Sequence, residues 1–319
     1  GFFEDGQHAR EVQQDPHDDA ASSQRNAGPA ELAPGADGQN KDGHGGDDFG
    51  EVHDFYFLMF GDNKAMILCE KVLVLVINLD RSQHRLVKIT GQLDRLGLIW
   101  ERLPAADGKN LDMLDTQLLD LASFKRLHGK MPLAGELGCY LSHVWCMQRL
   151  MGSGHEYALI VEDDALLGDG LPGVLEDLLS KPSQWDMVKL SGMHSGTPLK
   201  VSALAGGHAL AVPLSRYTGS SCYLINRKVA ALYAQSLLPM KLPYDHEYDR
   251  AWAYGFKMRM VVPAPCTHTF ELGSELNPHA VERVNFHWSK RLQAYGWRLL
   301  NEFDRVVYGL LQWVQHKGA

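Results

Sequence analysis

The sequence predicts an α/β fold in which helices cover both faces of a mostly parallel, doubly wound sheet. Two continuous apolar runs, at residues 72–79 and 157–161, have the length and composition of strands buried on both faces. Each run ends in polar residues, at the strand end where α/β sheets place their ligands. Helical patterns and loops separate these runs from further strand candidates at residues 186–190, 221–225 and 257–262.

A helix is predicted directly after the first strand. Ser82 suits its N-terminal cap, and Gly97 follows its last turn. Spacings of three and four residues give this helix a single apolar stripe, formed by Leu86, Ile89, Leu93 and Leu96. Residues 136–151 have a second helical pattern, which the glycines at 152 and 154 end just before the second strand.

The two ends of the chain differ from this body. Residues 1–66 carry 14 acidic and four basic side chains with little apolar periodicity, and we expect a disordered acidic leader there. Residues 67–287 are the predicted folded domain. Residues 288–319 repeat apolar side chains every three or four positions and carry a net charge of +3, which predicts an amphipathic helical tail. Such a helix either packs against its own domain or lies in a membrane interface.

Composition excludes several classes of protein. Residues 67–319 hold 27 basic and 25 acidic side chains, too balanced a charge for a nucleic-acid-binding surface. The five cysteines form no C-x-x-C pair, which disfavours a zinc ribbon or a disulfide scaffold. The longest apolar run, residues 72–77, is far shorter than the roughly 20 residues of a membrane span. The glycine-rich P-loop motif G-x-x-x-x-G-K-[ST] does not occur in the sequence.

Three consecutive carboxylates follow the second buried strand, at Glu162, Asp163 and Asp164. Adjacent carboxylates repel one another, and burying them without partners is costly. A divalent cation is the usual compensation, and hard oxygen ligands select Mg²⁺ or Mn²⁺. The alternative is an acidic turn exposed to solvent; the apolar strand before it favours the metal.

Five motifs, in order along the chain, resemble glycosyltransferase family 25, which includes bacterial lipooligosaccharide galactosyltransferases and the catalytic domains of collagen galactosyltransferases. They lie at residues 77–82 with Arg85, 104–108, 135–143, 159–165 and 243–245. Each motif alone is weak evidence, and the ordered set is specific. The resemblance implies a GT-A-like (Rossmann-like) fold and the transfer of a hexose from a nucleotide sugar with inversion.

The resemblance also assigns roles to the acidic stretch, which is similar to the D-x-D motif of such enzymes. It implies that Asp164 binds Mn²⁺ or Mg²⁺, with Glu162 or Asp163 meeting the metal or the ribose of the donor. GT-A enzymes often add a late histidine to the metal shell, and His268 is the candidate here. The alternative for His268 is an ordinary loop histidine.

Other polar side chains suit a donor site. Asn78, Asp80 and Arg85 follow the first strand, where amide and carboxylate groups can contact uracil and ribose while arginine contacts phosphate. For Asp80 the alternative is helix capping with a surface ion pair, and His143 is equally suited to a buried structural position. The further candidates are Arg81, Arg102, Asp107, Ser142 and His143. Gly138, near Ser142 and His143, leaves room for close packing.

Inversion needs a base that takes the proton of the acceptor hydroxyl as this oxygen attacks the sugar. The segment 243–250 offers three carboxylates. Asp245 is the first candidate for the base, and Glu247 and Asp249 come next. The alternative is that Asp245 caps a helix and Asp249 belongs to a solvated face.

The sequence therefore predicts a metal-dependent transferase that moves a hexose, galactose foremost, from a UDP-sugar to a lipid-linked oligosaccharide acceptor. A cytoplasmic location is expected, with peripheral contact to the inner membrane through residues 288–319 and no nucleic-acid partner. Two alternatives are a catalytically inactive binding or scaffold protein of the same fold and a metal-dependent phosphoesterase. The phosphoesterase would need a two-metal cluster of further His and Asp ligands, for which the sequence has no pattern.

Overall fold

A computed structural model describes residues 68–268 and 286–318, and the predicted leader at 1–66 lies outside the described residues. Within them the α/β prediction is confirmed: eight of the strands form one sheet in the order β2-β1-β3-β8-β5-β9-β7-β6, and β4 pairs with β10. The strands are β1 (Val72–Asn78), β2 (Trp100–Pro104), β3 (Tyr157–Glu162), β4 (Ala165–Leu167), β5 (Met187–Lys189), β6 (Pro198–Ala203), β7 (Ala209–Pro213), β8 (Cys222–Asn226), β9 (Met258–Val262) and β10 (Cys266–His268).

Helices cover both faces of the large sheet. They are α1 (Gln83–Arg95), α2 (Leu121–His128), α3 (Ala134–Met151), α4 (Leu171–Leu179), α5 (Arg227–Ser236), α6 (Tyr244–Glu247), α7 (Ala251–Tyr254) and α8 (Leu292–Lys317). All seven residues of β1 are buried, and alternate side chains point to opposite faces. Leu75 therefore packs with α3 and α5, while Val74 and Val76 pack with α1 and α4.

The pairing within the sheet is mixed. Three neighbouring pairs are parallel (β1 with β2, β1 with β3, β5 with β9) and four are antiparallel. The sequence predicts a mostly parallel sheet, because continuous apolar runs are typical of strands buried on both faces. An apolar run does not, however, specify the direction of the strand. β8 enters between β3 and β5 antiparallel to both.

The parallel part of the sheet positions the polar motifs. Ile77 pairs with Glu162 of β3, and Asn78 pairs with Pro104 of β2. The carboxyl ends of β1, β2 and β3 therefore meet at one edge of the sheet, and the segments that follow them lie side by side. This edge is where ligands bind in α/β sheets.

The amphipathic tail is helical, as predicted. Its buried side, which includes Asn301, Arg305 and Gly309, packs against α2, α7, β6 and β7. Apolar side chains on the other side remain exposed: Leu292, Leu299, Phe303, Leu310 and Val314. Across the described residues, no helix has the length and apolar character needed to cross a membrane.

Gly138 in α3 brings this helix against the loop that follows β2. A Cβ atom at this position would lie 2.5 Å from the carbonyl oxygen of Ala106 and 2.8 Å from the backbone nitrogen of Gly108. Both neighbours are backbone atoms, which cannot turn aside as a flexible side chain could. The predicted close packing at Gly138 is thus confirmed, and it sets the distance between α3 and this loop.

We expect Gly138→Ala to lower the free energy of unfolding by about 1–3 kcal/mol, because the added methyl group forces the backbone apart. Gly91→Ala is the matched control, since Gly91 lies inside α1 with no atom within 4 Å of the added Cβ. The control should gain up to about 1 kcal/mol from helix propensity. Urea denaturation of both variants measures this, and a stabilised Gly138→Ala protein would contradict the close approach.

Candidate active site

A cleft opens at the carboxyl ends of β1, β2 and β3. It encloses about 1210 Å³ including its mouth. Among the residues that line it are eight of those the sequence predicts for donor or metal binding: Arg81, Arg85, Asp107, Ser142, His143, Glu162, Asp163 and Asp164. The parallel register of the three strands brings these residues together, although they are up to 83 positions apart in the chain.

Asp163 is held by two side chains that follow β1. The Asn78 amide donates to Asp163 Oδ2 at 2.7 Å, and Arg85 donates to Oδ1 at 3.2 Å. Burial raises the pKa of Asp163, and the contacts with Asn78 and Arg85 offset this only in part. Asn78 is itself buried and accepts a hydrogen bond from Arg102. Asn78 therefore acts on the cleft by orienting Asp163.

Glu162 is held from the other side by His143. Nε2 of His143 lies 3.0 Å from Glu162 Oε1, and the Ser220 hydroxyl donates to the same oxygen. Burial raises the pKa of Glu162, but the hydrogen bonds from His143 and Ser220 outweigh it and bring the pKa below its usual value. Glu162 is consequently an anion at neutral pH.

His143 is fully buried and has partners on each side. Its Nδ1 lies 2.9 Å from the hydroxyl of Tyr223, and its ring stacks on Tyr244 with 4.0 Å between centroids. The ring is thereby fixed in orientation, which is the structural position that the sequence left open. Ser142, next to it, accepts from the backbone N–H of Ala106 and holds the loop after β2.

Asp164 is the third carboxylate of the stretch. Burial, together with the negative charges of Glu162 and Asp163, raises its pKa to about 7. His268 lies opposite Ala165 in the β4–β10 ladder, and its field lowers the pKa of Glu162. The raised pKa shows that negative charge is crowded at Asp164, and a hard divalent cation bound beside Glu162 and His268 would stabilise its ionised carboxylate.

A different group of potential ligands also meets at the cleft. Cys139, His143 and Glu162 bring one ligand atom each to within 4.8 Å of one another, the one such group found in the described part of the chain. Both ring nitrogens of His143 are already engaged, and burial raises the pKa of Cys139 well above its usual value. A neutral thiol and an occupied imidazole disfavour metal binding by this group.

The outer wall of the cleft consists of charged side chains. Arg81 forms an ion pair with Asp107, which also caps the short 3₁₀ helix Gly108–Asn110. Asp80 stands outside the lining, with its side chain 83% exposed, and pairs with Arg102. This is the surface ion pair that the sequence left open for Asp80.

Three side chains at the cleft were not predicted from the sequence: Lys109, Cys139 and Ser220. Cys139 stands four positions before His143, on the same face of α3, and this spacing is a signal that sequence alone could supply. Ser220 lies in the loop before β8, and only the antiparallel pairing of β8 with β3 brings it to Glu162.

The three candidates for the base have different environments. Glu247 is buried and accepts hydrogen bonds from Arg250 at 2.8 Å and Tyr254 at 2.6 Å. Asp249 is buried between Lys189 and Arg305, at 3.0 Å and 2.5 Å. Neither lines the cleft.

Asp245 alone of the three is half-buried. Its negative charge contributes to the raised pKa of Cys139, which lines the cleft. Among the three, Asp245 is therefore the carboxylate with solvent access and a field that reaches the cleft.

Asp164→Asn tests the electrostatics of the acidic stretch in the metal-free protein. With a folded-state pKa of about 7, above the usual value, the wild-type protein loses stability as pH rises toward and through 7. We expect the variant to exceed the wild-type free energy of unfolding by about 1–3 kcal/mol at pH 8 and to match it at pH 4. The measurement is urea denaturation in EDTA.

Asp169→Asn is the control for this prediction, because the Asp169 side chain is 80% exposed. It should change stability by no more than about 0.5 kcal/mol at either pH. An Asp164→Asn protein that is no more stable than the wild type at pH 8 would mean that this carboxylate is well solvated.

Asp249→Ala should lower the free energy of unfolding by about 3–5 kcal/mol, because it leaves Lys189 and Arg305 buried without their carboxylate. Asp245→Ala in the neighbouring helix should cost less than about 1 kcal/mol, since its carboxylate forms no ion pair within the described residues. Thermal and urea denaturation give both values. Equal losses would argue against a structural role specific to Asp249.

Parts of the chain are similar to known proteins. Residues 72–204 match the family model described as glycosyltransferase family 25 (LPS biosynthesis protein). A glycosyltransferase 25 family member of Aedes aegypti is 35% identical over 97 residues, which are 28% of this chain and 16% of that protein. Procollagen galactosyltransferase 1 of Danio rerio is 26% identical over 123 residues, or 36% of this chain and 20% of that protein.

A third relative matches more of the chain. The inactive glycosyltransferase 25 family member 3 of Homo sapiens is 26% identical over 188 residues, 54% of this chain and 30% of that protein. The chain thus spans between 16% and 30% of the length of these three relatives. The family match covers β1 to β6, and with them the strands and the acidic stretch that form the cleft, so this part of the chain is similar to glycosyltransferase family 25.

Proposed function

We propose that this protein transfers a hexose, galactose foremost, from a UDP-sugar to a glycan acceptor with inversion at the anomeric carbon. The observation that carries the proposal is the composition of the cleft at the ends of β1–β3. Two arginines, Arg81 and Arg85, and a triplet of carboxylates face the same space. A nucleotide diphosphate sugar needs both kinds of group, since its phosphates are anions and its leaving group requires charge compensation.

In this proposal Arg81 and Arg85 contact the diphosphate of the donor. Asp163, which Asn78 and Arg85 orient, contacts the ribose hydroxyls. Asp164 would hold Mn²⁺ or Mg²⁺, with Glu162 and His268 completing the site. When bound, such a cation neutralises charge on the departing diphosphate.

The base of the proposed reaction is Asp245. As the acceptor oxygen bonds to the anomeric carbon, its proton passes to the carboxylate of Asp245, and the bond from that carbon to the diphosphate oxygen breaks on the opposite face. Displacement from the opposite face inverts the anomeric configuration. Glu247 and Asp249 are less suited, because their carboxylates are engaged in buried ion pairs.

Galactose and the acceptor class are proposed from the relatives. The Danio rerio protein is named a procollagen galactosyltransferase, and the family description names LPS biosynthesis. We propose that the acceptor is a lipid-linked oligosaccharide. The protein would be cytoplasmic and would contact this acceptor at the membrane surface. The exposed apolar side of α8 supports that contact.

A second candidate is a sugar-nucleotide-binding protein without turnover. It is favoured by the relatives from human, mouse and rat, named inactive or probably inactive, each of which matches 54% of this chain. Product analysis separates the candidates: a transferase releases UDP together with a glycosylated acceptor. Release of inorganic phosphate alone would instead indicate the phosphoesterase.

The donor site is tested by calorimetric titration of UDP-galactose and UDP-glucose, with and without Mn²⁺, into the wild-type protein and Asp164→Ala. We expect binding that Mn²⁺ strengthens in the wild type and not in the variant. Failure of the wild type to bind either sugar nucleotide under any of these conditions would refute the donor assignment.

Asp245→Asn tests the base. We expect the transfer rate to fall by about 10²-fold or more, because the amide cannot accept the proton, while the affinity for UDP-galactose stays within about twofold. Glu247→Gln is the matched comparison and should keep most of the activity. If Glu247→Gln abolishes transfer and Asp245→Asn does not, the base has been assigned to the wrong carboxylate.

A further inference from the structure

A second, smaller pocket lies beside α6 and under α8. Together with the open solvent at its mouth it measures about 300 Å³, and the enclosed part is much smaller. Four arginines line it, together with two carboxylates, one histidine and two tryptophans: Arg216, Arg250, Arg298, Arg305, Asp249, Glu302, His246, Trp252 and Trp297. None of these residues has a role in the mechanism proposed above.

Most of these arginines have carboxylate partners. Arg305 pairs with Asp249 at 2.5 Å and with Glu302 at 3.2 Å. Arg250 pairs with Glu247 at 2.8 Å, outside the lining. These partners leave one arginine without a matching negative charge.

Arg298 is that residue. Its guanidinium donates to the backbone carbonyl of His128 at 2.6 Å and pairs with no carboxylate in the part of the chain described. Among the described carboxylates, Arg216 pairs with Glu302 alone, at 3.2 Å, and it shares this partner with Arg305. The pocket therefore holds more positive than negative charge.

The pKa shifts of two lining residues agree with a surplus of positive charge in the pocket. Burial lowers the pKa of Arg298, and the positive charges of Arg291 and Arg216 lower it further. Burial also lowers the pKa of His246, against the opposing field of Asp245. At neutral pH the pocket thus combines charged guanidinium groups with a neutral imidazole.

We propose that this pocket binds an anionic group, a carboxylate or a phosphate, carried by the glycan acceptor. The inference rests on the transferase function proposed above and adds the chemical class of its acceptor. Guanidinium groups bind both anions through paired hydrogen bonds. The indole rings of Trp252 and Trp297 lie beside the guanidinium groups of Arg305 and Arg250 and form the apolar part of the lining.

The position of the pocket suits an acceptor site. His246, in its lining, is the neighbour of Asp245 in α6, and the field of Asp245 reaches Cys139 in the donor cleft. An acceptor anchored by its acidic group would extend along α6 toward the base. The same charge would exclude acceptors that carry an ammonium group near that position.

The test uses inorganic phosphate and glucose 6-phosphate as probes, titrated into the full chain and followed by the indole N–H signals of Trp252 and Trp297 in NMR spectra. Both probes should shift these two signals, and the sugar phosphate should bind more tightly than phosphate alone. We expect Arg298→Gln and Arg216→Gln each to weaken binding at least tenfold. Arg126→Gln, an exposed arginine on α2, is the charge-matched control and should leave it within twofold.

Several outcomes would overturn the proposal. One is that neither probe shifts the indole signals. Another is that Arg126→Gln weakens probe binding as much as Arg298→Gln and Arg216→Gln do. Sugar phosphate that binds no better than inorganic phosphate would mean a site for free anions and would exclude the acceptor role. Arg216→Gln keeps the test valid if Arg298→Gln loosens α8, because Arg216 contacts that helix only through its partly exposed ion pair with Glu302, and such pairs contribute little to stability.

UDP-galactose titrated in the same samples separates this proposal from the donor assignment. Its binding should shift the backbone signals of Ser142 and His143 and be unchanged by Arg298→Gln. If the wild-type protein fails to bind UDP-galactose while both anionic probes still shift the two indole signals, only the donor site is refuted. The reverse result would refute only the anion pocket.

Discussion

The local structure of the cleft depends on the placement of three consecutive carboxylates at the buried end of β3. Each must be compensated, because adjacent negative charges in a partly buried site repel one another. Asn78 and Arg85 reach Asp163 from the segment after β1, while His143 of α3 and Ser220 before β8 reach Glu162. Asp164 keeps a pKa of about 7 and faces the cleft. These partners come from separate parts of the chain. The hydrogen bonds and ion pairs that compensate the carboxylates therefore also connect β1, β3, α3 and the loop before β8.

The second acidic segment shows how burial separates similar residues into different roles. Glu247 and Asp249 neutralise Arg250, Lys189 and Arg305, and the last of these anchors α8 to the body of the domain. Asp245, one turn away, keeps access to solvent. The same arrangement leaves Arg298 without a carboxylate partner in the described part of the chain, and it makes Arg216 share Glu302 with Arg305. The anchoring of α8 and the charge of the small pocket thus have a common origin in how these few ion pairs are distributed.

Much of the fold follows from local patterns. The apolar run of β1, the stripe of α1 and the 3–4 spacing of the tail each predict an element that the structure contains, because burial imposes its own period on a strand or a helix. The direction of each strand could not be predicted from its apolar pattern. β8 is as apolar as a parallel strand, yet it runs antiparallel to both of its neighbours. The burial of Asp249 could not be predicted either, since its cationic partners Lys189 and Arg305 lie 56 or more positions away in the chain.

By itself, the sequence determined the α/β class, the ordered motifs that resemble glycosyltransferase family 25 and most of the charged residues that line the cleft. These features are local, since each is encoded in the spacing or identity of a few neighbouring residues. Only the tertiary structure decided which charged residues remain available for chemistry. It assigned His143 to orienting Glu162, Asp80 to a surface pair and Asp249 to a buried one, and it assembled the arginine pocket under α8. The reason is physical: the role of a charged side chain is set by its solvation and by partners that are distant in sequence, and neither is a property of the residue alone.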